Sequence, residues 1–231
     1  MSVFFTRRGE VHLVKKASDY SVGESVFLKV NGSPTEFLVV HQGLPSSLYD
    51  SSCDGTWLLM KDSYVDIQWD SSNNDYANSD MHSYLNNDFF ALLDSITQSI
   101  IRQVKIPYQN GTGSGGSIAS GTNGLSTKVF LLGGYEVGWT TSTSSYLPID
   151  GAKLDYFSDN ASRIAYHDGT AKSWWTRSAN KNGSTGGYHV KTTGTYTSLN
   201  VTSTNASVMT RPALIVPYDT KFDQETNMIR G

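Results

Sequence analysis

The chain has 231 residues, a formal net charge of −3, 17% charged and 12% aromatic residues, and one cysteine, Cys53. That length suits one domain, with at most an appendage. The mild acidity excludes a nucleic-acid footprint or an anionic-membrane patch built on excess Lys and Arg, and a single cysteine excludes an intramolecular disulfide.

Little charge with many Tyr, Ser, Thr, Asn and Gly points to a β-rich, loop-rich protein of an extracellular or virion kind. The start, Met1 to Gly9, lacks the apolar core of a signal peptide, and no run reaches the ~18 apolar residues of a membrane span. A virion protein released by lysis meets both conditions.

Residues 1–20 read as an arm whose Phe4, Phe5, Arg7 and Arg8 can dock on a partner or fray. Ser25–Val30 and Thr35–His41 are strands around Asn31-Gly32-Ser33-Pro34, a strong hairpin signal. Thr56 to Lys61 is an unbroken apolar run, hence a strand buried on both faces or a core segment. Met81, Tyr84, Leu85, Phe89 and Leu92 recur at helical spacing, so a helix runs from about Ser79 to Leu93, capped by Asn78 or Ser79. A capping box at Ser95 opens a second helix, about Ile96 to Val104, with Ile96, Ile100, Ile101 and Val104 facing the core. Residues 110–124 are Gly/Ser-rich and read as a flexible loop within a domain of residues 21–219. Asp150-Gly151 and Asp168-Gly169 mark turns. The last strand is Ala213–Val216, and residues 220–231 read as a tail. The fold class is α+β: a hairpin, two helices, then a long loop-rich β region.

Catalysis finds little support. The five histidines lack zinc-type spacing, and no Gly-x-Ser-x-Gly elbow is present. Cys53 has no His beside it in sequence to activate it. Carboxylates such as Asp62, Asp66, Glu136, Asp150 and Asp155 sit among turn formers and make a weak glycosidase signal. Asp70 to Asp75 resembles an oxygen-ligand cluster, but the Gly and terminal Glu of an EF-hand are missing. The expectation is a non-enzyme with no cofactor and no metal.

Binding is the better reading. Between Trp174-Trp175-Thr176-Arg177 and Arg211-Pro212-Ala213 lies a segment of Asn, Gly, Ser, Thr, Tyr and His. Its Asn182, Tyr188, His189, Tyr196, Ser198 and Asn200 have the composition of antibody-type paratopes, and sugars need the same tools: aromatic faces and amide or hydroxyl rims. Trp139 and Tyr146 are candidate helpers. Trp174, Trp175, Arg177 and Arg211 are assigned to the frame, with one Trp ring inward and the other at the edge, and the guanidiniums tying loops to carbonyls or carboxylates.

Trp57 to Asp62, Asn74 to Ser79 followed by Tyr84-Leu85-Asn86, Trp174 to Ser178 and Arg211 to Pro217 occur in that order. The set resembles a family common in phages and prophages of gut bacteria, encoded near tail genes, whose members look like C-type-lectin-fold proteins. It is similar to the tropism determinants diversified by retroelements. The resemblance implies paired terminal strands, two helices and a loop region that contacts a host receptor. The calcium-site signatures of sugar-binding animal lectins are absent, and one cysteine argues against the sulfatase-activating enzymes of that fold. The expected function is a tail-associated virion protein that binds a host-surface glycan or protein, attached to other virion proteins through the arm and acting as a homo-oligomer. The alternatives are a structural decoration or assembly protein without a ligand, and an enzyme degrading surface polysaccharide.

Overall fold

The computed structural model describes residues 13–202 and 207–231. It is a mixed α+β structure in which many short antiparallel strands form small sheets. β1 (Val14–Lys16) comes first. β2 (Ser25–Val30) and β3 (Ser33–Gly43) form the hairpin that Asn-Gly predicts. Asn31 and Gly32 hold φ of 48° and 75°, both left-handed, as a two-residue type I′ turn requires. β3 begins two residues before the expected Thr35, which places Pro34 inside the strand opposite Lys29. A two-residue turn makes Val30 and Ser33 the bonded pair, so the missing Pro34 N–H would point away from β2 and costs no ladder bond.

β4 (Gly55–Met60) is buried along its whole length, as its apolar run predicts. After a polar stretch come α1 (Asp80–Tyr84), a π-helical turn (Leu85–Phe89) and α2 (Phe90–Leu92), which together fill the first expected helix. The Ser79 hydroxyl caps it, accepting from the His82 N–H at 3.1 Å. α3 (Ser95–Ile100) departs from expectation at both ends. Its cap is Asp94, whose Oδ1 accepts from the Thr97 N–H at 2.8 Å. Ile96 is exposed to solvent rather than facing the core, and Val104 belongs instead to β5 (Val104–Ile106).

β6 (Tyr108–Asn110), β7 (Ser117–Ala119) and β8 (Leu125–Thr127) follow. β6 pairs with β7 and β5 with β8, so the Gly/Ser-rich stretch 110–124 contributes to a broken two-stranded ribbon. β9 (Val129–Phe130) precedes a long irregular segment. β10 (Ala165–His167) and β11 (Thr170–Ala179) flank Asp168 and Gly169, whose φ of 49° and 73° make a second two-residue turn. The chain closes with β12 (Gly186–Val190), β13 (Tyr196–Asn200), β14 (Val208–Met209), β15 (Ala213–Val216), β16 (Lys221–Asp223) and β17 (Ile229–Arg230).

Two five-stranded sheets dominate. One has the order β2-β3-β4-β15-β9; the other has the order β10-β11-β12-β13, with β14 also on β11. The first is apolar on both faces. Phe37, Val39, Leu58, Met60, Leu214 and Val216 face a core closed by Met81, Leu85 and Phe89 of the helical segment. Leu38, Val40, Trp57, Leu59, Ala213 and Ile215 face a second core, closed by Leu132, Val137, Leu147 and Phe157 of the irregular segment. Two apolar faces explain why β4 reads as an unbroken run rather than an alternating one.

The two ends of the described chain meet in a third sheet, β1-β16-β17. Val14 lies opposite Asp223, and Ala17, Tyr20, Phe222 and Ile229 are buried. Residues 13–20 of the expected arm and 220–231 of the expected tail thus pack on the body. Residues 1–12 of that arm, including Phe4, Phe5, Arg7 and Arg8, lie outside the described residues.

Candidate functional site

The polar segment expected to bind is the β12–β13 hairpin with the loop before it. Tyr188 lies opposite Ser198 and His189 opposite Thr197; across β11, Trp174 lies opposite Val190 and Trp175 opposite His189. Directly opposed residues share a face. One face therefore presents Trp174, Tyr188, Tyr196, Ser198 and Asn200, and the reverse face presents Trp175, His189, Thr197 and Leu199. Trp174 and Trp175 are both fully buried, one in each core. The expectation that one ring would reach the edge fails because both faces are covered at this point.

The first face rises into an aromatic patch. Tyr196 is 39% exposed and Tyr146 47%, while Tyr188 and Trp139 are only 2% and 4% exposed. The Tyr196 ring lies 5.9 Å from that of Trp139 and 6.3 Å from that of Tyr188. The Tyr188 hydroxyl is 2.6 Å from Ser144 Oγ, and the Lys181 N–H donates to the Tyr146 carbonyl at 3.0 Å. These bonds bring the 140–146 loop against the hairpin. Asn180 Nδ2 donates to Ser198 Oγ at 3.0 Å, and Asn180 Oδ1 accepts from the Asn182 N–H at 2.9 Å.

The structure thus gathers Trp139, Tyr146, Tyr188, Tyr196, Ser198 and Asn182 at one rim. Tyr188 and Trp139 form its floor, so neither offers a free ring face. Burial also pushes the Tyr188 hydroxyl above its ordinary pKa. His189 does not join the rim, because strand alternation turns it to the reverse face. There it packs edge-on to Trp175, with ring centroids 5.4 Å apart, and burial lowers its imidazole to about 4. Asn200 is exposed at the hairpin's far end. Its Oδ1 accepts from the Thr202 N–H at 3.0 Å and the Thr202 hydroxyl at 2.9 Å, so that oxygen is committed to a local turn.

Two buried side chains hold the rim in place. Asn74 donates through Nδ2 to the Gly186 carbonyl at 2.7 Å and the Gly183 carbonyl at 3.2 Å, and its Oδ1 accepts from the Gly113 N–H at 2.8 Å. A Cβ on Gly113 would stand 2.0 Å from the Asn180 carbonyl oxygen, so only glycine fits this crossing. Arg177 is fully buried on β11. It forks onto Glu136, with Nη1–Oε2 and Nη2–Oε1 both 2.6 Å, and also donates to the carbonyls of Asp150, Leu131 and Pro107. Tyr49 donates to Glu136 Oε1 at 2.7 Å, and the Ser178 hydroxyl donates to Asp150 Oδ2 at 2.6 Å. Burial raises Asp150 to about 6, against the opposing pull of Arg177.

This geometry bears on the catalytic candidates. Glu136 and Asp150 are enclosed and bonded within the frame. Asp70 Oδ1 accepts from the backbone of Ser72 and Asn73 at 2.7 and 2.9 Å, as a turn former does. Burial pushes the Cys53 thiol up to about 12. His167 Nδ1 lies 2.9 Å from the Ser63 carbonyl oxygen, and no group of three or more His, Cys, Asp or Glu among the described residues is placed to hold a metal. What the patch can do chemically is stack two exposed phenol rings on a ligand and hydrogen-bond it through hydroxyls and amides. Ser144 and Asn180 escaped the sequence reading, and Asn74 entered it only as part of the Asp70–Asp75 run and of a resemblance motif, not as a clamp. Asn180 lies two residues before Asn182, a recognised candidate, whereas a buried clamp such as Asn74 looks like any turn Asn.

No curated protein matches the chain, and no solved structure does. A family model matches residues 54–218, from the start of β4 to just past β15, and so takes in the frame and the whole aromatic rim. The chain therefore belongs to the family described as a domain of unknown function, DUF6273.

Proposed function

We propose that this protein binds a glycan or protein on a host-cell surface through the rim of Tyr146, Tyr196, Ser198 and Asn182. The observation that carries this reading is two exposed tyrosines above a fixed aromatic floor, bordered by hydroxyls and amides and braced from behind by Asn74 and Arg177. Rigid phenol rings give contact area at low entropy cost, and the polar border supplies directional hydrogen bonds. The motif resemblance supports placing it among phage or prophage tail-associated virion proteins with a C-type-lectin-like fold. Paired ends, two helical segments and a long irregular region are compatible with that fold. No helix among the described residues is long and apolar enough to cross a membrane.

The test is a glycan-array and whole-cell binding screen with the purified protein, then the same screen with Tyr196→Ala and Tyr146→Ala. Truncating an interface anchor costs on the order of 1–2 kcal/mol, so each variant should weaken binding about tenfold or more. Cell binding that survives the double variant unchanged would remove the rim from the reading, and release of reducing ends from cell-wall glycans would replace it with an enzyme.

A further inference from the structure

We propose that β13 is the edge along which two copies of this chain join into one continuous sheet. β13 ends its sheet, pairing with β12 alone among the described residues. The hairpin's bonding phase shows which of its groups are open. The Lys191 N–H donates to the Thr195 carbonyl at 2.7 Å, and the Val201 N–H to the Thr185 carbonyl at 2.8 Å. Alternation between these fixed points directs residues 197 and 199 toward β12. The N–H and C=O of Tyr196, Ser198 and Asn200 consequently point out of the sheet. Among the described residues none of these groups bonds to another segment.

The other edges of the two large sheets are engaged, β14 included, where Met209 bridges Asp66. At β2, the Phe27 N–H donates to the Asn227 carbonyl at 2.9 Å, and Val30 bridges Leu93. At β9, Asn86 bonds both backbone groups of Val129, at 2.9 and 3.2 Å. At β10, the Ser63 N–H donates to the Tyr166 carbonyl at 2.8 Å. Natural open edges are blunted by Lys, Pro or a bulge. β13 reads Tyr-Thr-Ser-Leu-Asn, and its register with β12 is unbroken.

The occupant that fits is a second copy. The open groups are symmetric about Ser198, so an inverted β13 satisfies all of them. Ser198 would face Ser198 of the second copy, and Tyr196 would face its Asn200. The strand is uncharged, so a two-fold axis through it opposes no like charges, which a Lys or Glu there would do. The joined sheet would carry both aromatic rims on one face, although the pairing itself does not depend on what those rims bind.

The test uses the full chain without any ligand. Sedimentation across a concentration series should show a reversible dimer. Ser198→Cys should cross-link rapidly through a short thiol-reactive bridge, because the bonded pair at the axis has its Cα atoms about 5.5 Å apart. Asn200→Cys, which faces Tyr196, should cross-link far more slowly. Cys53, the only native cysteine, is buried and adds no background. Ser198→Pro removes an outward N–H and no ladder bond within the chain, so its circular dichroism should match wild type while its dimer is lost. A wild-type chain monomeric at its highest soluble concentration, or a dimer unaffected by Ser198→Pro, overturns the proposal. So does cross-linking at position 200 as fast as at 198. Binding of a foreign extended peptide to a strictly monomeric chain would assign the edge to another partner.

Discussion

Arg177 and Arg211 are two buried guanidiniums on neighbouring stretches of one frame, and they are satisfied in opposite ways. Arg177 is enclosed by a carboxylate fork and three carbonyls. Despite its desolvation, Glu136 holds it firmly charged, with its pKa above the ordinary arginine value. Among the described residues, Arg211 has no carboxylate in contact. Nε and Nη2 donate to the carbonyls of Met60 and Lys61, both at 2.9 Å, and the guanidinium lies 4.9 Å from the Trp174 ring. Its Nη1 has no partner among the described residues, and burial lowers its pKa to about 10. Arg177 is a hub where four separate segments converge. Arg211 is a lid that ties the end of β4 to the second core, its charge spread over dipoles and a π face. The same residue type on the same frame thus carries different weight.

That contrast can be broken most forcefully at the hub. Arg177→Met leaves Glu136 buried without its cation, and losing one partner of a buried pair costs about 3–5 kcal/mol. Urea denaturation should show that loss or outright failure to fold. Adding Glu136→Gln to it should recover part of the stability. A variant as stable as wild type would show that the hub is dispensable.

Next in size is a pH effect confined to the hub. Asp150 is raised from 3.8 to about 6, so the folded state holds a proton that the unfolded state has lost across that window. Its contribution is therefore fully present below pH 3.8 and is lost as pH rises through about 6, a swing of about 3 kcal/mol. His189 acts the opposite way, since lowering from 6.5 to about 4 removes stability as pH falls. The difference between wild type and Asp150→Asn, measured at each pH, cancels His189. Relative to the variant, wild type should gain stability from pH 7 to pH 4, and a flat difference would contradict the burial argument.

Arg211→Met should cost about 1–3 kcal/mol, less than the hub, because the lost bonds are to carbonyls and its Nη1 group was already unpaired among the described residues. A loss equal to that of Arg177→Met would erase the distinction. The smallest effect is expected at the rim. Tyr196→Ala should change the unfolding free energy by no more than about 0.5 kcal/mol in urea denaturation, since the residue is 39% exposed. A large loss there would turn the rim into part of the frame.

What could be read from the residues divides along a physical line. The Asn31-Gly32 turn, the buried β4 run and the helix capped by Ser79 are written in a few adjacent residues, and all are present. The cap of α3 slipped by one residue because Asp94 and Ser95 are both good caps and only packing chooses between them. The rim was legible as composition but not as orientation. Tyr188 and His189 look alike as neighbours on a strand, yet alternation turns them to opposite faces, and both faces turn out to be covered. The Arg177–Glu136 pair joins two segments forty-one residues apart, and Asn74 reaches more than a hundred residues along the chain. No local pattern records such pairings, which only the folded chain brings together.

The placement of β15 carries one more consequence, which concerns the order in which the molecule is made. β15 fills the gap between β4 and β9, and its residues, Ala213–Val216, are synthesised long after both. Until they emerge, β4 presents an unpaired edge whose every residue is apolar or small and destined for burial. A nascent chain halted before residue 213 would expose that edge, a segment suited to pairing with its neighbours on adjacent ribosomes. Truncation just before β15 should therefore yield aggregates rather than a smaller soluble domain, whereas truncation after β15 should spare the central sheet.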